Sequence, residues 1–341
     1  MSIALGSLPV VFRTSCYVMR YLSGKDLSNL IPPATLVTAI ETGLRDFAGR
    51  KALVPQRAHL DFGDNTLLTM PVFGEGSFGT KIVSVVPSNA ARGVPVVNGL
   101  MILNDGATGV PLAVLDAASL TAQRTGAVGG VALKCTTPPD TDRVGIIGTG
   151  VQGTWQAIFA CAVRKVHTLY FIARSDEKAL RFVNGVSPHV SSVRFSRCAD
   201  VQELLTKSQV VIAATTSSEP VLPANQALLA NKHFISVGSF KPSMIEFPGL
   251  VYQLAQTVVV DSDAAQLEVG DLTEPLSRGL LQEANIVHLA DLVSGKRTVD
   301  TTRTTAVKSV GMALYDLYAA RAFLDAAERL GRGTPLDTRA G

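Results

Sequence analysis

Hydrophobic residues recur with two different periods along the first part of the 341-residue chain. Between residues 52 and 115, short apolar runs are separated by Gly, Pro, Asn and Asp, a pattern typical of an antiparallel sheet built from hairpins. The predicted strands are 58–62, 66–71, 81–86, 96–103 and 112–115. In residues 34–48 and 117–134, apolar residues instead recur every three or four positions, which predicts two helices.

The pattern changes after residue 140, where short apolar runs alternate with helical segments. Val144–Ile147 has the length and the β-branched content of a strand that is buried on both faces. Alternation of this kind predicts a parallel sheet with helices on both sides. From Thr304 to about Leu330, an Ala- and Leu-rich segment predicts a long helix with no strand beside it. The other predicted strands are 168–174, 193–195, 210–214, 234–237 and 257–261.

A glycine-rich turn follows the strand Val144–Ile147. It has the spacing G-x-G-x-x-G of dinucleotide-binding sites, in which the glycines allow a tight turn, a close approach of the pyrophosphate and close packing of helix on strand. The N-terminus of the following helix then faces the phosphates. We therefore predict a cofactor-binding turn formed by Gly148, Thr149, Gly150, Val151, Gln152 and Gly153.

These patterns predict an α/β chain in which a Rossmann-type doubly wound parallel sheet is inserted into a second, α+β domain. Residues 1–136 are expected to form the first part of the substrate-binding domain, and residues 140–296 the NAD(P)-binding domain. Residues 297–341 are expected to contain a helix that returns to the first domain, because this helix has no predicted strand partner.

The end of the second strand of the nucleotide domain bears on the choice of cofactor. In NAD sites an acidic residue at this place accepts hydrogen bonds from the ribose hydroxyls. Here the strand ends in Ile172-Ala173-Arg174-Ser175, with no carboxylate before Asp176. The guanidinium group of Arg174 suits a 2′-phosphate, and Ser175 adds a hydroxyl. We therefore predict NADPH, with NADH as the alternative if Arg174 is only a solvated residue at the start of a helix.

Composition argues against several classes of protein. With 47% hydrophobic and 17% charged residues, the chain can bury large cores. The net charge of +3 is small and the Lys and Arg residues are scattered, so we expect no nucleic-acid partner. No apolar run reaches the length of a membrane span and no clear signal-peptide pattern is present, so we expect a cytoplasmic protein without membrane contact.

The remaining reactive residue types are assigned structural or surface roles. Glu268 and Asp271 could form a carboxylate pair, but we favour an exposed loop. The cysteines are far apart in the sequence and are predicted to be free thiols: Cys16, Cys135, Cys161 and Cys198. Three histidines lack the spacing of metal ligands, so we expect no metal site from His59, His233 and His288.

Several short motifs occur in a fixed order across both predicted domains. Besides the glycine-rich turn, they are Thr80-Lys81-Ile-Val, Thr121-Ala-Gln-Arg124-Thr-Gly-Ala, Val259-Val-Asp-Ser262 and Lys308-Ser-Val-Gly311. Through these motifs the chain resembles the ornithine cyclodeaminase/mu-crystallin family from Leu22 to Ala320. The resemblance implies a homodimer that uses the β-sheet of the substrate domain for dimer contacts, and substrates that are small α-amino or α-imino acids.

The resemblance also implies the site residues. In the family, two arginines and a lysine surround the substrate carboxylate, and the matching residues here are Arg57, Lys81 and Arg124. A carboxylate requires charge-assisted donors, for which Arg offers a planar fork and Lys a point charge. We expect Lys81 to be catalytic as well, whereas ordinary surface positions are the alternative for the two arginines. By the same resemblance, the nicotinamide ribose is expected beside Thr215, Thr216, Ser309 and Val310.

One motif departs from the family. Cyclodeaminases have an Asp in a V-G-x-D-x-P stretch, where this chain has Val237-Gly238-Ser239-Phe240-Lys241-Pro242. Phe240 cannot accept a proton, whereas the family's Asp serves as the base during deamination. The departure therefore favours the branch that reduces ketimines.

The expected activity is NADPH-dependent reduction of Δ1-pyrroline-2-carboxylate or Δ1-piperideine-2-carboxylate to L-proline or L-pipecolate. Hydride transfer to C2 of the imine is the expected chemical step. One alternative is an NAD-dependent ornithine or lysine cyclodeaminase or an amino-acid dehydrogenase. The other is a protein like mu-crystallin that uses the NADPH-binding fold to hold a ligand without turnover.

Overall fold

The computed structural model describes residues 18–267 and 269–337 of the chain. These residues form two β-sheets with helices packed against them. The strands are β1 (Val18–Leu22), β2 (Ala58–Phe62), β3 (Asn65–Gly74), β4 (Ser77–Val85), β5 (Val97–Asp105), β6 (Pro111–Asp116), β7 (Arg143–Ile147), β8 (Thr168–Ile172), β9 (Arg194–Arg197), β10 (Val210–Ala213), β11 (His233–Ser236), β12 (Thr257–Val260), β13 (Ile286–His288), β14 (Thr305–Lys308) and β15 (Thr334–Asp337). The α-helices are α1 (Gly24–Leu27), α2 (Pro33–Ala48), α3 (Ala117–Thr136), α4 (Val151–Val163), α5 (Asp176–Val186), α6 (Val201–Lys207), α7 (Gln226–Leu229), α8 (Gly249–Leu254), α9 (Ala264–Leu267), α10 (Gly270–Ser277), α11 (Leu289–Val293) and α12 (Ala313–Leu330).

The first sheet has seven strands within the described residues, in the order β15-β1-β6-β5-β4-β3-β2. Strands β2 to β6 are consecutive antiparallel partners, which confirms the hairpin-rich sheet predicted from the sequence. The sequence pattern did not predict β1 and β15, which extend the sheet beyond β6. Directly opposite residues of an antiparallel pair project from the same face, so Lys81 on β4 shares a face with Met70 on β3 and Met101 on β5.

The second sheet has eight described strands in the order β13-β12-β14-β11-β10-β7-β8-β9, and each described pair is parallel. From β7 the chain runs outward to β8 and β9 and then returns to β10 on the other side of β7. Such a reversal leaves a crevice at the carboxyl ends of the strands, where α/β proteins bind their ligands. The predicted Rossmann-type α/β fold is confirmed.

The predicted helix from Thr304 to Leu330 is wrong in its first part. Thr305–Lys308 forms strand β14, which lies between β12 and β11 in the second sheet, and helix α12 begins only at Ala313. Gly311 separates the two elements with a backbone φ of +77°, a left-handed conformation that favours glycine. A short apolar run fits a buried strand as well as a buried helix, and periodicity alone does not separate them.

Helices α3 and α12 are buried on nearly all sides at the centre of the molecule. Helix α12 packs against α2, α3, β3 and β4, and α3 packs against α4 of the nucleotide-binding half. Helices α3 and α4 lie so close together that a Cβ at Gly129 would overlap the side chain of Gln156. The domain boundaries near residues 136, 140 and 296 stay a prediction, although β14 adds residues beyond 296 to the second sheet.

Candidate active site

The glycine-rich turn has the shape that a dinucleotide requires. Gly148 has a φ of +96°, and a Cβ there would lie 2.5 Å from the carbonyl oxygen of Ala214. A Cβ at Gly150 would meet no heavy atom within 4 Å, so the space beside this residue is open to a ligand. A Cβ at Gly153 would overlap the carbonyl oxygen of Gly148, which shows how tightly helix α4 packs on the turn. These three features match the three roles of the glycines around a pyrophosphate.

The other residues of the turn surround the start of α4. Thr149 is half-buried, Gly150 is the N-terminal cap, and Val151 is exposed in the first turn of the helix. The side-chain oxygen of Gln152 is buried and has no hydrogen-bond partner within the described part of the chain. The turn therefore presents main-chain amides and one buried side-chain acceptor at the carboxyl end of β7.

Arg174 and Ser175 lie one strand away, between the end of β8 and the start of α5. Arg174 is exposed. The Oγ of Ser175 caps α5 by accepting a hydrogen bond from the amide of Lys178 at 3.3 Å. This cap leaves the Ser175 hydroxyl hydrogen available to a ligand. The position of Arg174 is compatible with its predicted contact with a 2′-phosphate.

Sequence reasoning missed a second arginine near this place. Arg197, the last residue of β9, donates a hydrogen bond from Nη2 to the carbonyl oxygen of Ala173 at 2.9 Å. Its Nη1 forms an ion pair with the carboxylate of Asp176. The only available signal was a basic residue at the end of a strand predicted as 193–195, and the prediction ended that strand two residues too early.

Lys81 and Arg124 meet at a buried carboxylate. The Nζ of Lys81 lies 2.7 Å from Oδ2 of Asp316 and donates a hydrogen bond to Oγ1 of Thr121 at 3.4 Å. The Nε of Arg124 donates to Oδ1 of Asp316 at 2.9 Å. Lys81 is 3% exposed and Asp316 is fully buried. We call Lys81, Arg124 and Asp316 the carboxylate-site cluster, and it contains two cations and one anion.

Burial lowers the pKa of Lys81 to about 8, because a charged ammonium group is costly to remove from water. The carboxylate of Asp316 opposes this shift, while Arg124 and Arg57 add to it by charge repulsion. Lys81 is therefore held in a field that favours an additional anion. A substrate carboxylate would provide that anion.

Sequence reasoning also missed Asp316. It lies in the first turn of α12, where every neighbouring position from Ala313 to Ala320 is buried. An acidic residue on such a segment must have a partner. The sequence signal was this one acid within the apolar run 313–320, but its partner Arg124 is 192 residues away and could not be identified from the sequence.

A cavity of about 290 Å³ lies beside the carboxylate-site cluster. Arg57 and Met70 line one side of it, and Gly311 lines another. Met70 is the cross-strand neighbour of Lys81. A Cβ at Gly311 would lie 2.6 Å from Nη1 of Arg124, so the tip of this guanidinium group packs directly against the cavity wall. Of the three predicted carboxylate-binding residues, Arg57 therefore lines this cavity and Arg124 packs behind Gly311, whereas Lys81 lies one strand away from the lining residue Met70.

The predicted nicotinamide-ribose residues lie at the carboxyl ends of β10 and β14, the same edge of the sheet as the glycine-rich turn. Asp261 holds the segment after β14 by accepting hydrogen bonds from Oγ of Ser309 at 2.7 Å and from the amides of Val310 at 3.1 Å and Gly311 at 2.7 Å. Thr216 is exposed, after β10. Ser309 and Val310 are therefore held in place beside Gly311, which lines the cavity.

Thr215 is anchored by a second buried group of charges. Its amide and its Oγ1 donate to Oε1 of Glu246 at 2.6 and 3.0 Å. Oε2 of Glu246 accepts from the amide of Gly238 at 2.8 Å and from Oγ of Ser236 at 2.7 Å. Thr215 is thus held by its contacts and has limited freedom to move toward a ligand.

Asp271 completes this second group, and its predicted place in an exposed loop is wrong. Asp271 is fully buried in α10, where Oδ1 accepts from the amides of Glu246 at 2.9 Å and Phe247 at 3.0 Å. Its Oδ2 lies 3.3 Å from Nζ of Lys308 and accepts a hydrogen bond from Ser239. Asp271 is buried because these partners replace water. We call Lys308, Glu246 and Asp271 the sheet-end cluster; Glu268 lies outside the described residues.

The position of the missing family Asp is occupied by an exposed aromatic ring. Phe240 is 41% exposed, and Nζ of Lys241 lies 5.9 Å from the centre of its ring. The nearby carboxylates of the sheet-end cluster are bound by main-chain amides and serines, so they do not replace a free base. The site has no carboxylate at this position.

The histidines and cysteines form no metal site within the described residues. His59 pairs with Asp61, and burial lowers the pKa of His233 to about 4. His288, predicted to be structural, lines the cavity and lies 3.2 Å from Asp263. The described cysteines are free, and Cys16 lies outside the described residues. No described helix combines the length and apolar character needed to cross a membrane.

Comparisons with known proteins extend over nearly the whole chain. The model of the ornithine cyclodeaminase/mu-crystallin family matches residues 21–330. A Δ1-pyrroline-2-carboxylate reductase of Bacillus thuringiensis is 33% identical over 330 residues, which cover 94% of this chain and 100% of the relative.

Two solved structures have closely similar folds. The Δ1-pyrroline-2-carboxylate reductase of Thermococcus litoralis, in complex with NADH and L-proline, has a TM-score of 0.86 and 31% identity, over 93% of this chain and 99% of the other. An archaeal alanine dehydrogenase dimer with bound NAD also has a TM-score of 0.86, with 26% identity over 94% of this chain and 100% of the other.

Proposed function

Because the chain belongs to the ornithine cyclodeaminase/mu-crystallin family, we infer that it is an NADPH-dependent reductase of cyclic ketimine carboxylates. The chain is an oxidoreductase of carbon–nitrogen bonds that uses a nicotinamide cofactor. Within this class we propose Δ1-pyrroline-2-carboxylate and Δ1-piperideine-2-carboxylate as substrates. The products would be L-proline and L-pipecolate.

The observation that carries the proposal is the excess of positive charge in the carboxylate-site cluster. Two buried cations, Lys81 and Arg124, share the single carboxylate of Asp316. Arg57 lines the adjoining cavity and lowers the pKa of Lys81 by charge repulsion. Buried charges are stable only when they are paired, so this arrangement is completed by an anionic ligand. A small imino acid supplies a carboxylate of the required size and charge.

We assign the residues around the cavity separate roles in the reaction. Arg124 and Arg57 would hold the substrate carboxylate, so that C2 of the imine faces the predicted nicotinamide site in a near-attack geometry. Asp316 fixes the Nε edge of Arg124 and so orients its guanidinium group. Lys81 would hydrogen-bond the carboxylate or the imine side of the substrate and raise the electrophilicity of C2.

The nicotinamide, when bound, supplies the hydride that converts C=N into CH–NH. Lys81 carries a proton at neutral pH, because its lowered pKa of about 8 is still above 7. An imine that binds in its protonated form needs no additional acid, and Lys81 then donates to the substrate carboxylate, because the protonated nitrogen has no lone pair to accept a hydrogen bond. Binding of the protonated imine is therefore consistent with a site that has Phe240 at the position where cyclodeaminases have an Asp.

The cofactor preference is part of the proposal. Arg174 lies in the turn that follows β8, the position from which Rossmann-type domains contact the adenosine ribose. We propose NADPH as the preferred cofactor because this position has a guanidinium group and because no carboxylate lies between the end of β8 and Asp176. Turnover with NADH is expected to be weaker, and the predicted cytoplasmic location stays a prediction.

We propose a homodimer formed through the first sheet. Its described strands expose large apolar side chains, which in a soluble protein mark an interaction surface: Leu60, Phe62, Leu67, Phe73, Ile82 and Leu100. The alanine dehydrogenase with a similar fold is a dimer. Mass measurement in solution tests the proposal, and replacement of the 89%-exposed Phe62 by Asp should shift the protein toward monomer.

The activity is tested with purified protein, NADPH and a panel of cyclic and N-alkyl imino acids. We expect loss of the reduced-nicotinamide absorbance with the five- or six-membered cyclic imine carboxylates. Ammonia release from ornithine or lysine would instead indicate a cyclodeaminase. Tight NADPH binding without turnover of any imine in the panel would indicate a ligand-binding protein and contradict the proposal.

A further inference from the structure

We propose that Arg197 is a second guanidinium group of the site for the adenosine 2′-phosphate, and that Asp176 holds it in place until the phosphate binds. The inference rests on the proposed NADPH dependence. It adds a specificity-determining residue from a neighbouring strand to the contact predicted for Arg174.

The sheet topology places Arg197 at the ribose end of the site. Strand β9 is the parallel neighbour of β8, with Arg197 in register with Phe171. Its side chain reaches past the end of β8 to the turn that contains Arg174. Nη2 donates to the carbonyl oxygen of Ala173, the residue before Arg174, and Nη1 pairs with Asp176, the residue after Ser175. Arg197 therefore bridges both sides of the dipeptide Arg174-Ser175.

The two contacts of Arg197 have different strengths. The Asp176 side chain is 99% exposed, and exposed ion pairs of this kind contribute little because water and salt screen them. A phosphate offers more acceptor oxygens and more charge than a carboxylate, and its hydrogen bonds with Arg are among the strong ones. A 2′-phosphate can therefore displace Asp176 from Nη1. The contact with the Ala173 carbonyl would remain and keep the guanidinium group oriented.

The other acidic residues nearby have partners of their own, and Asp200 accepts a hydrogen bond from the amide of Glu203 at 2.8 Å. Glu177 pairs with Arg181 at 2.5 Å, and Glu203 pairs with Lys207 at 2.5 Å. Asp176 is thus the acid whose charge competes directly with a phosphate for Arg197. With NADH, which lacks the phosphate, Arg197 keeps its pair with Asp176 and gains nothing. The Arg197–Asp176 pair therefore favours binding of NADPH over NADH, because only NADPH offers a phosphate to Arg197.

The test measures binding of adenosine 2′,5′-bisphosphate and 5′-AMP to the full chain by calorimetry, without any turnover. We expect Arg197→Ala to weaken the bisphosphate by about 10-fold or more, the effect of one lost charge-assisted hydrogen bond, and to leave 5′-AMP nearly unchanged. Arg194→Ala is the matched control, because Arg194 is an exposed Arg on the same strand at its opposite end. It should change neither affinity.

A purely structural role for Arg197, as a link between α5 and the sheet, predicts a different result. In that case Arg197→Ala would weaken both nucleotides equally or lower only the melting temperature. Asp176→Asn provides an independent check, since it removes the competing charge and should strengthen the bisphosphate while leaving 5′-AMP unchanged. Equal effects on the two nucleotides, or no effect of either variant, would overturn the inference.

Failure of the inference can be separated from failure of the proposed cofactor preference. If wild-type protein does not prefer the bisphosphate over 5′-AMP, NADPH preference is wrong and the inference falls with it. If Arg174→Ala abolishes a preference that Arg197→Ala leaves intact, NADPH preference stands and only the role of Arg197 is wrong.

Discussion

Two buried groups of charges, both formed by described residues, differ in the balance of their positive and negative charges. The carboxylate-site cluster has two cations on one carboxylate, whereas the sheet-end cluster has one cation, Lys308, and the two carboxylates of Glu246 and Asp271. In the sheet-end cluster, main-chain amides and serine hydroxyls donate to the carboxylate oxygens. It is complete without a ligand, and its anionic excess is compensated by these donors.

In the carboxylate-site cluster, the described residues place one carboxylate, that of Asp316, within ion-pair distance of both cations. Gly311, which lines the cavity, packs against Arg124 of this cluster. We propose that the carboxylate-site cluster binds an anion, whereas the sheet-end cluster holds the ends of β10, β11 and β14 together. Replacements in the two clusters should therefore separate an effect on catalysis from an effect on folding.

The largest effect is expected from Lys308→Met. The replacement leaves the carboxylate of Asp271 without its buried cation, and breaking a buried ion pair in this way costs about 3–5 kcal/mol. The free energy of unfolding, measured with denaturant, should fall by that amount. Lys178→Met, at an exposed position of α5, is the control and should change stability by less than about 0.5 kcal/mol. Equal effects would show that the sheet-end cluster does not stabilise the fold.

Lys81→Met should have the opposite profile. It leaves Arg124 and Asp316 as a one-to-one pair, so we expect a much smaller loss of stability than for Lys308→Met. Turnover of a competent imine should fall by on the order of 10²-fold, because one electrostatic donor is lost from the site. Steady-state kinetics and unfolding curves on the same sample decide the matter. Unchanged turnover would remove Lys81 from the mechanism.

The pH dependence of kcat/KM sharpens the same comparison. Lys81 is cationic below its pKa of about 8 and neutral above it. The attraction for the substrate carboxylate is therefore present at neutral pH, and kcat/KM should decrease as pH rises through about 8. In Lys81→Arg, any remaining activity should lack this decrease, because Arg stays charged over the whole range. If kcat/KM of Lys81→Arg decreased at the same pH, the decrease would be due to the titration of another group.

The smallest effects are expected from hydroxyl deletions, one beside each cluster. Ser239→Ala removes a donor to Asp271 and an acceptor for Lys308, and should lower stability by about 1 kcal/mol without altering KM. Thr121→Ala removes only a long contact with Lys81, at 3.4 Å. We expect it to leave stability nearly unchanged and to raise KM slightly. If Ser239→Ala raised KM as well, the two clusters would be coupled.

The elements that the sequence predicted well are those whose signal is local. The hairpins between residues 58 and 115 and the glycine-rich turn have turn residues and periods that need no knowledge of distant partners. Strand β14 was missed because its short apolar run is stabilised as a strand only by pairing with β12 and β11. Whether such a segment forms a strand or a helix depends on its tertiary neighbours and not on its local pattern.

The site residues follow the same division. Arg57, Lys81 and Arg124 could be named through resemblance, yet Asp316, to which two of them bind, was not predicted. Asp271 was assigned to an exposed loop because its partner Lys308 is distant in sequence. The sequence shows where charges occur but not which charges meet. Arg197 was missed for the same reason.

The segment from β14 into α12 has a consequence for how the length of this chain can vary. Asp261 binds Ser309 and Gly311, and Asp316 binds Lys81 and Arg124, so both ends of one short segment are attached to different parts of the protein. One inserted or deleted residue inside α12 before Asp316 would rotate that carboxylate by about 100° around the helix axis. Homologous chains should therefore tolerate insertions in the hairpin loops of the first sheet but keep a constant spacing between these two attachment points.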